Sequence, residues 1–526
     1  MLHRVLPLFC VSFVSATLPD LCLDDAKGWV TSVANPCPAN TTAFRGVGVN
    51  LFDIFWGAWG TGGANATMAT AKAALRDAAM SGYTFARTFA SPWSYKGWGW
   101  ANESTRAAYW AAAAEVVAEA EHCGIKLIPS LSYGCADSTV PCNPAVQLFN
   151  ETYREFITNA SSRTRAALRA YHQDFVSRFM GSPSILFWEL GNEMNLAMDG
   201  CTYDKSEGAF FTTAEGLAYQ REAAADIKAI DPERPVNSGM SSPRSRAKHL
   251  MNTPGGAGAV CVTPANPKGD CELCFNLPAD TQDDYIDVLK LYHTDADIFS
   301  AHYYGCAAPY GNLSWCSDPA STAPLGVMRA TAEALGKPLF VGEFGPHDGN
   351  WSAAADGGTS PGRALLVGMA GLGVPLSSLW AFECPSHDHT DQPGFCLHPG
   401  QVSAQPFTFE VSELAQSVSR QLQAPPLPPE QSNMTLIWLP PPTGEPGEPA
   451  CLDGSGFGYY ALPGKVNKWI VMLQGGGWCF NIEDCFARTQ PGYAGGGLGS
   501  SKYWSPWTWK FAFGPAFADW GALFIP

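Results

Sequence analysis

Two apolar runs, each ending in a glutamate, constrain this chain more than any other feature. Ser184–Asn195 reads SILFWELGNEMN and Lys337–Gly345 reads KPLFVGEFG. Ser184–Trp188 and Pro338–Val341 have the length and apolar content of strands buried on both faces, as in the inner ring of a (β/α)8 barrel. Such a run should end in a charge only where the charge is used. Glu193 and Glu343 fall where strand gives way to loop, and in a barrel that face carries the active site.

The rest of the chain supplies the other units of such a barrel. Strands are expected at 44–50, 83–90, 125–131, 184–190, 234–240, 297–302, 338–341 and 375–382. Helices are expected at 66–80, 105–122, 163–180, 213–230, 282–293, 321–335, 361–372 and 408–422. Eight alternations of this kind are the signature of an α/β fold closed as a TIM barrel. The competitor is an open doubly wound sheet, but no G-x-G-x-x-G follows the first strand. At 526 residues the chain suits a barrel of about 250–400 residues plus something smaller. After Gln423 it turns proline-rich, which predicts an extended connector over 424–450. Residues 451–526 are rich in glycine and tryptophan and contain no histidine. The expected organisation is therefore a leader at 1–16, a barrel at 17–423, a connector at 424–450 and a second domain from 451.

Charge and cysteine usage bound the setting. A net charge of −16 argues against nucleic acid and against an anionic membrane surface. His3 and Arg4, the apolar Val5–Val14 and the small residues Ser15 and Ala16 read as a secretory signal. No later segment reaches the roughly 18 apolar residues of a membrane span. Seventeen cysteines fit an oxidising compartment. Cys135/Cys142, Cys306/Cys316 and Cys384/Cys396 each bracket a polar stretch just after an expected strand, as staples on long loops would. Cys271 and Cys274, with Cys261 nearby, read as disulfide partners, because no second CxxC or histidine pair accompanies them. Sequons such as Asn65-Ala-Thr and Asn102-Glu-Ser agree with secretion. The expectation is an extracellular monomer.

Two carboxyls at one barrel mouth are the equipment for cleaving a glycosidic bond, provided one is protonated and the other ionised. Asn192 can bond the sugar's 2-hydroxyl. Arg87, ending strand two, can hold Glu343 ionised, and Tyr304 can donate its phenol to the same carboxylate. His302 ends strand six and can orient the acid or the substrate. Trp380 offers a flat face to a pyranose ring. Trp56, Trp59, Trp93, Tyr95, Trp98 and Trp100 follow strands one and two in glycine-rich stretches, where they can stack sugars. Glu189 is the rival to Glu193 as acid but lies deeper in the strand. Glu383 opens a stapled loop. His387, Asp388, His389 and Asp391 have metal-ligand side chains, yet adjacent groups in a polar loop are more often solvated. Neither a metal nor a cofactor is expected.

Asn192-Glu193, Glu343 in GEFG, His302-Tyr303-Tyr304, Arg87 and Trp380, in this order along the strands, resemble glycoside hydrolase family 5 over about residues 40–420. The resemblance implies Glu193 as acid/base and Glu343 as nucleophile. The implied substrate is a neutral polysaccharide, cut by an endo-β-1,4-mannanase or a β-1,4-glucanase. Many members carry a histidine after strand three, and IPSLSYG has none; mannanase-like members also lack it, which favours mannan. The alternative is a non-catalytic carbohydrate-binding barrel. Further on, CLDGSGFGYY, WIVMLQGGGWCF and LGSSKYW resemble the N-terminal part of pectin acetylesterases and Notum carboxylesterases. That implies a truncated α/β-hydrolase-like segment over about 433–526, with Gly476, Gly477 and Trp478 lining an oxyanion hole. A segment without histidine holds no Ser–His–Asp system, so it is expected to be inactive. A bifunctional glycanase and deacetylating esterase is the alternative if the natural protein completes it.

Overall fold

The computed structural model describes residues 44–61, 66–92, 97–132, 148–199, 211–232, 234–252, 277–306, 313, 315–316, 321–346 and 361–382, with the backbone of four strands beyond them. The leader, Trp93, Tyr95, Glu383, the 387–391 loop, the 408–422 helix, Gly476, Gly477, Trp478 and every expected staple but one lie outside these residues. The chain divides into two compact units, Met1–Gln423 and Ala424–Pro526.

In the first unit, strands β1 (Gly46–Asn50), β2 (Phe85–Phe89), β3 (Lys126–Ser132), β4 (Trp188–Gly191), β5 (Val236–Asn237), β6 (Phe299–Tyr303), β7 (Leu339–Phe344) and β8 (Leu376–Leu379) lie in the order β5-β4-β3-β2-β1-β8-β7-β6. Each of these pairings is parallel. Asp297 closes the ring between β5 and β6: its N–H donates to the Val236 carbonyl at 3.3 Å and its carboxylate accepts from the Val236 N–H at 2.8 Å. The expected (β/α)8 class is the fold observed.

The helices between the strands are α1 (Ile54–Ala58), α2 (Met68–Met80), α3 (Glu103–Cys123), α4 (Tyr153–Thr158), α5 (Arg163–Phe179), α6 (Thr213–Lys228), α7 (Ala247–Met251), α8 (Gln282–His293), α9 (Ala323–Ala334) and α10 (Pro361–Gly371). Their starts are written in the sequence. Thr152 with Glu155, Thr212 with Glu215 and Thr281 with Asp284 each close a capping box, which satisfies two of the amides that a helix start leaves unpaired. The short α1, α4 and α7 were not expected, because a single turn carries no periodic signal. Strand β4 begins four residues later than its apolar run, and β5 is only two residues long. Gly239, at φ +71°, turns the chain soon after it.

The inward faces of the strands alternate with a period of two. Phe44, Phe85, Ile128, Leu186, Phe187, Ile298, Phe340 and Leu376 form one buried cluster of their own. Two residues further along β2, β4, β6 and β8 the sequence turns polar: Arg87 after Phe85, Glu189 after Phe187, Ser300 after Ile298 with His302 beyond it, and Ser378 after Leu376. A larger cluster on the outward faces packs the strands against the helices.

In the second unit, β9 (Thr435–Trp438), β10 (Gly458–Leu462), β11 (Trp469–Leu473) and β12 (Gly521–Ile525) form a mixed sheet ordered β11-β12-β10-β9. β11 and β12 are parallel and the other two pairings antiparallel. Thr435–Trp438, expected within the connector, is thus a strand of this sheet.

Candidate active site

The polar layer at the strand ends is built around Arg87. Its side chain is fully buried and each of its three nitrogens donates to an acceptor. Nε donates to Glu189 Oε1 at 2.9 Å, and Nη2 lies 2.7 Å from the same oxygen as an ion pair. Nη1 donates to Asn50 Oδ1 at 3.0 Å and to Glu343 Oε1 at 2.8 Å, and Nη2 to Asn192 Oδ1 at 2.7 Å. Burial opposes the charge, but Glu189 and Glu343 outweigh it and push the guanidinium above its ordinary value. Arg87 thus fixes three strand ends and the loop after β4 with one side chain.

Glu343 is aimed by a bulge. On one side β7 pairs Val341 with Ala301 and then Glu343 with His302; on the other it pairs Val341 with Ser377 and then Phe344 with Leu379. Gly342 is the extra residue, and such insertions re-aim the side chain that follows. A Cβ on Gly342 would stand 3.0 Å from His302 Nε2, and its carbonyl accepts from Asn50 Nδ2 at 2.9 Å. Glu343 Oε2 accepts from the Tyr304 hydroxyl at 2.7 Å. Burial, then the Glu343 and Glu193 charges, push that phenol well above its ordinary value, so it stays a donor.

Glu193 is held by strain and by its neighbours. It sits in the left-handed region at φ +51°, unusual for a side chain of this size. Its N–H donates to the Gly239 carbonyl at 2.9 Å. A Cβ on Gly239 would meet the Gly191 carbonyl at 1.7 Å, so only glycine fits that crossing. Glu193 Oε1 lies 2.8 Å from His302 Nδ1, which is also 3.5 Å from Glu343 Oε2. His302 Nδ1 thus faces both carboxyls. Burial pushes His302 down to about 4, so the ring is neutral near pH 7.

The two carboxyls therefore differ. Burial raises both above the usual carboxylate range. At Glu193 the opposing influences are the Ser241 hydroxyl and a more remote Arg87. At Glu343 the Glu193 charge adds to the rise, while His302, Arg87 and Tyr304 work against it. Glu343 alone touches a fixed positive charge. Arg87 acts on Glu193 only from a distance.

Glu193, His302 and Glu343 each place one ligand-type atom within 4.8 Å of the others. A divalent cation there would sit beside the Arg87 guanidinium, 2.8 Å from Glu343, so the trio suits proton chemistry better than metal binding.

The remaining expectations divide. Trp380 is half-buried and stacks on Phe52 at 5.2 Å between ring centroids, leaving it at the mouth. Trp56 is a correction: α1 turns it into the core, where its indole N–H donates to the Phe52 carbonyl at 2.9 Å. Trp98 and Trp100 are likewise buried, packed edge-on against Tyr171. Glu189 is enclosed behind Arg87, as its depth in the strand implies. Cys306 and Cys316 are joined as a disulfide just beyond β6. Asn50 and Asn237 were not singled out, although a polar residue closing an apolar strand was the available signal. Asn50 also donates to Ser378 Oγ at 3.1 Å, and Asn237 donates to Glu189 Oε2 at 2.8 Å.

This is an eight-stranded barrel with two differently placed carboxyls at the strand ends, Glu343 buried and Glu193 half-buried. Comparison with known proteins gives the resemblances that the motifs carry. The sequence model of the family described as Pectinacetylesterase matches residues 434–514. Palmitoleoyl-protein carboxylesterase NOTUM of Schmidtea mediterranea is 35% identical over 86 residues, 14% of this chain and 16% of that protein. Mannan endo-1,4-beta-mannosidase F of Aspergillus fumigatus is 34% identical over 124 residues, 24% of this chain and 25% of that protein. A probable mannan endo-1,4-beta-mannosidase F of Neosartorya fischeri is 27% identical over 239 residues, 45% and 43% of the two chains. The chain thus spans less than half the length of each of these relatives. Among solved structures, the endo-beta-1,4-mannanase from Thermotoga petrophila superimposes with a TM-score of 0.47 at 18% identity, covering 75% of this chain and 80% of its own.

Proposed function

We propose that the barrel is a secreted, retaining glycoside hydrolase that cleaves a neutral β-linked cell-wall polysaccharide, mannan in preference to glucan. Glu193 acts as acid/base and Glu343 as nucleophile. One observation carries the reading: an oxygen of Glu193 and one of Glu343 lie within 4.8 Å of each other. Retaining enzymes hold their carboxyls roughly 5–5.5 Å apart, whereas inverting ones leave roughly 6.5–9.5 Å for a water. Glu343 attacks the anomeric carbon while Glu193 gives its proton to the departing oxygen. Glu193 then takes a proton from water, which displaces Glu343 and restores both groups. Arg87 holds Asn192 by its carbonyl oxygen, so the amide N–H2 is the part left to meet a sugar hydroxyl. Trp380 supplies the ring face for the pyranose. The choice of mannan draws on what the two mannosidase relatives are named for.

The test is reducing-sugar release from mannan, glucomannan and carboxymethyl-cellulose by the folded protein. Release from mannan above the others is expected; none from any β-glycan would leave a carbohydrate-binding barrel. The activity is assigned to residues 17–423, so a chain ending at Gln423 should hydrolyse glycan at an almost unchanged rate, and a fall of more than about tenfold would move that boundary.

A further inference from the structure

The proposed reaction gives Glu189 nothing to do, yet the structure gives it the larger share of Arg87. It is fully buried on β4. Nε of Arg87 donates to its Oε1 and the Asn237 amide to its Oε2, and Nη2 of Arg87 lies 2.7 Å from Oε1 as an ion pair. Donors without an acceptor are the surroundings of a carboxylate, not of a carboxylic acid. Glu343 receives only Nη1 of the same guanidinium.

A nucleophile alone with a buried arginine would have its charge largely cancelled, because an opposite charge in contact lowers a carboxyl by about one to three units and weakens it as a base. Here one guanidinium lies between two carboxylates. We infer that Glu189 is a positioning residue: by drawing on the charge of Arg87 it lets the guanidinium fix Glu343 in place without neutralising it. The inference rests on reading Glu343 as the nucleophile. Among the described residues, the other titratable groups facing Glu343 are Tyr304 and His302 from the β6 end and Glu193 from the loop after β4. Tyr304 donates to Glu343, and neutral His302 lies 3.5 Å from it, whether or not Glu189 is charged. Glu193 adds negative charge to the site, and a uniform effect of Glu193 does not depend on Glu189 either.

Glu189→Gln removes the charge and keeps the shape. Its amide nitrogen would face Asn237, whose Oδ1 is buried without a partner and can accept from it after a flip of the Asn237 amide. The experiment is a pH titration of the full chain with 13C-labelled glutamate carboxyls, Glu343 being assigned from Glu343→Gln. In Glu189→Gln the Glu343 titration should move to lower pH by about one unit, since the undivided guanidinium then acts on it. The acid limb of turnover of an activated aryl β-mannoside should move the same way, with a lower plateau. A lower plateau with neither titration nor limb displaced would mean that Glu189 only supports the fold, and the inference would be lost. If Glu189→Gln does not fold, Glu189→Asp retracts the charge by one methylene and should produce a smaller displacement in the same direction; none would again overturn the idea. The titration needs no turnover. A displaced titration in a protein inactive on every glycan would defeat the proposed function and leave this inference standing.

Discussion

The lower and upper layers of the barrel interior are made by the same strands, one pleat apart, and they hold the fold together in different ways. Below, Phe85, Phe187, Phe340 and Leu376 belong to one buried apolar cluster, and burial of each such side chain stabilises the fold by about 1.5–3 kcal/mol. Above, Arg87, Glu189, Glu193, His302 and Glu343 are charged or polar groups taken out of water, where desolvation offsets most of what their pairing contributes. The hydrogen bonds and ion pairs of Arg87 make that layer tolerable, and its rigidity gives the carboxyls a fixed separation. Stability is concentrated in the lower layer and chemistry in the upper one.

Substitutions should separate the two. Glu343→Ala should lower turnover by roughly 10^5-fold, as loss of a nucleophile does, while the protein stays folded by circular dichroism. Phe340→Ala should do the reverse. It should lower unfolding free energy by about 3–5 kcal/mol in urea titration while kcat of the folded fraction stays close to that of the parent. If Glu343→Ala unfolded the chain, or Phe340→Ala abolished turnover in folded protein, the division between layers would fail.

Within the upper layer the two carboxyls should part next. Glu193→Ala should lose polysaccharide hydrolysis yet keep turnover of activated aryl glycosides, and azide should speed it, because only protonation of the leaving group is missing. Equal loss on both substrates would reverse the assigned roles.

The smallest effect is on stability against pH. Burial raises Glu193 above its unfolded value, so the folded state binds the extra proton, and stability is lost as pH rises through the folded value. Glu193→Gln carries no such charge. It should therefore raise Tm by a few degrees above that range and by less below it, measured by calorimetry at both. A gain that shrank with rising pH would contradict the sign.

Much of this was legible in the sequence because a strand buried on both faces leaves few alternatives. The runs around Phe187 and Phe340 gave the strands, and the glutamates beyond them gave the mouth. What could not be read depends on contacts distant in the chain. The bulge at Gly342 shows only when β6 and β8 are paired with β7. Asn50 looks like any loop start until Arg87 is beside it. Trp56, Trp98 and Trp100 were expected to face sugars because they lie among glycines, but the single turn of α1 and the Tyr171 ring draw them into the core. Aromatic residues in a glycine-rich stretch have no period from which to tell which side they face.

The central claim is that Glu343 makes and breaks a covalent bond to the sugar. A fluorinated mannoside with an activated leaving group traps that intermediate, and peptide mass mapping locates it. The account predicts one equivalent of label on the peptide bearing Glu343. Label on Glu193 or Glu189, or release of the inverted anomer with no label on the protein, would contradict it.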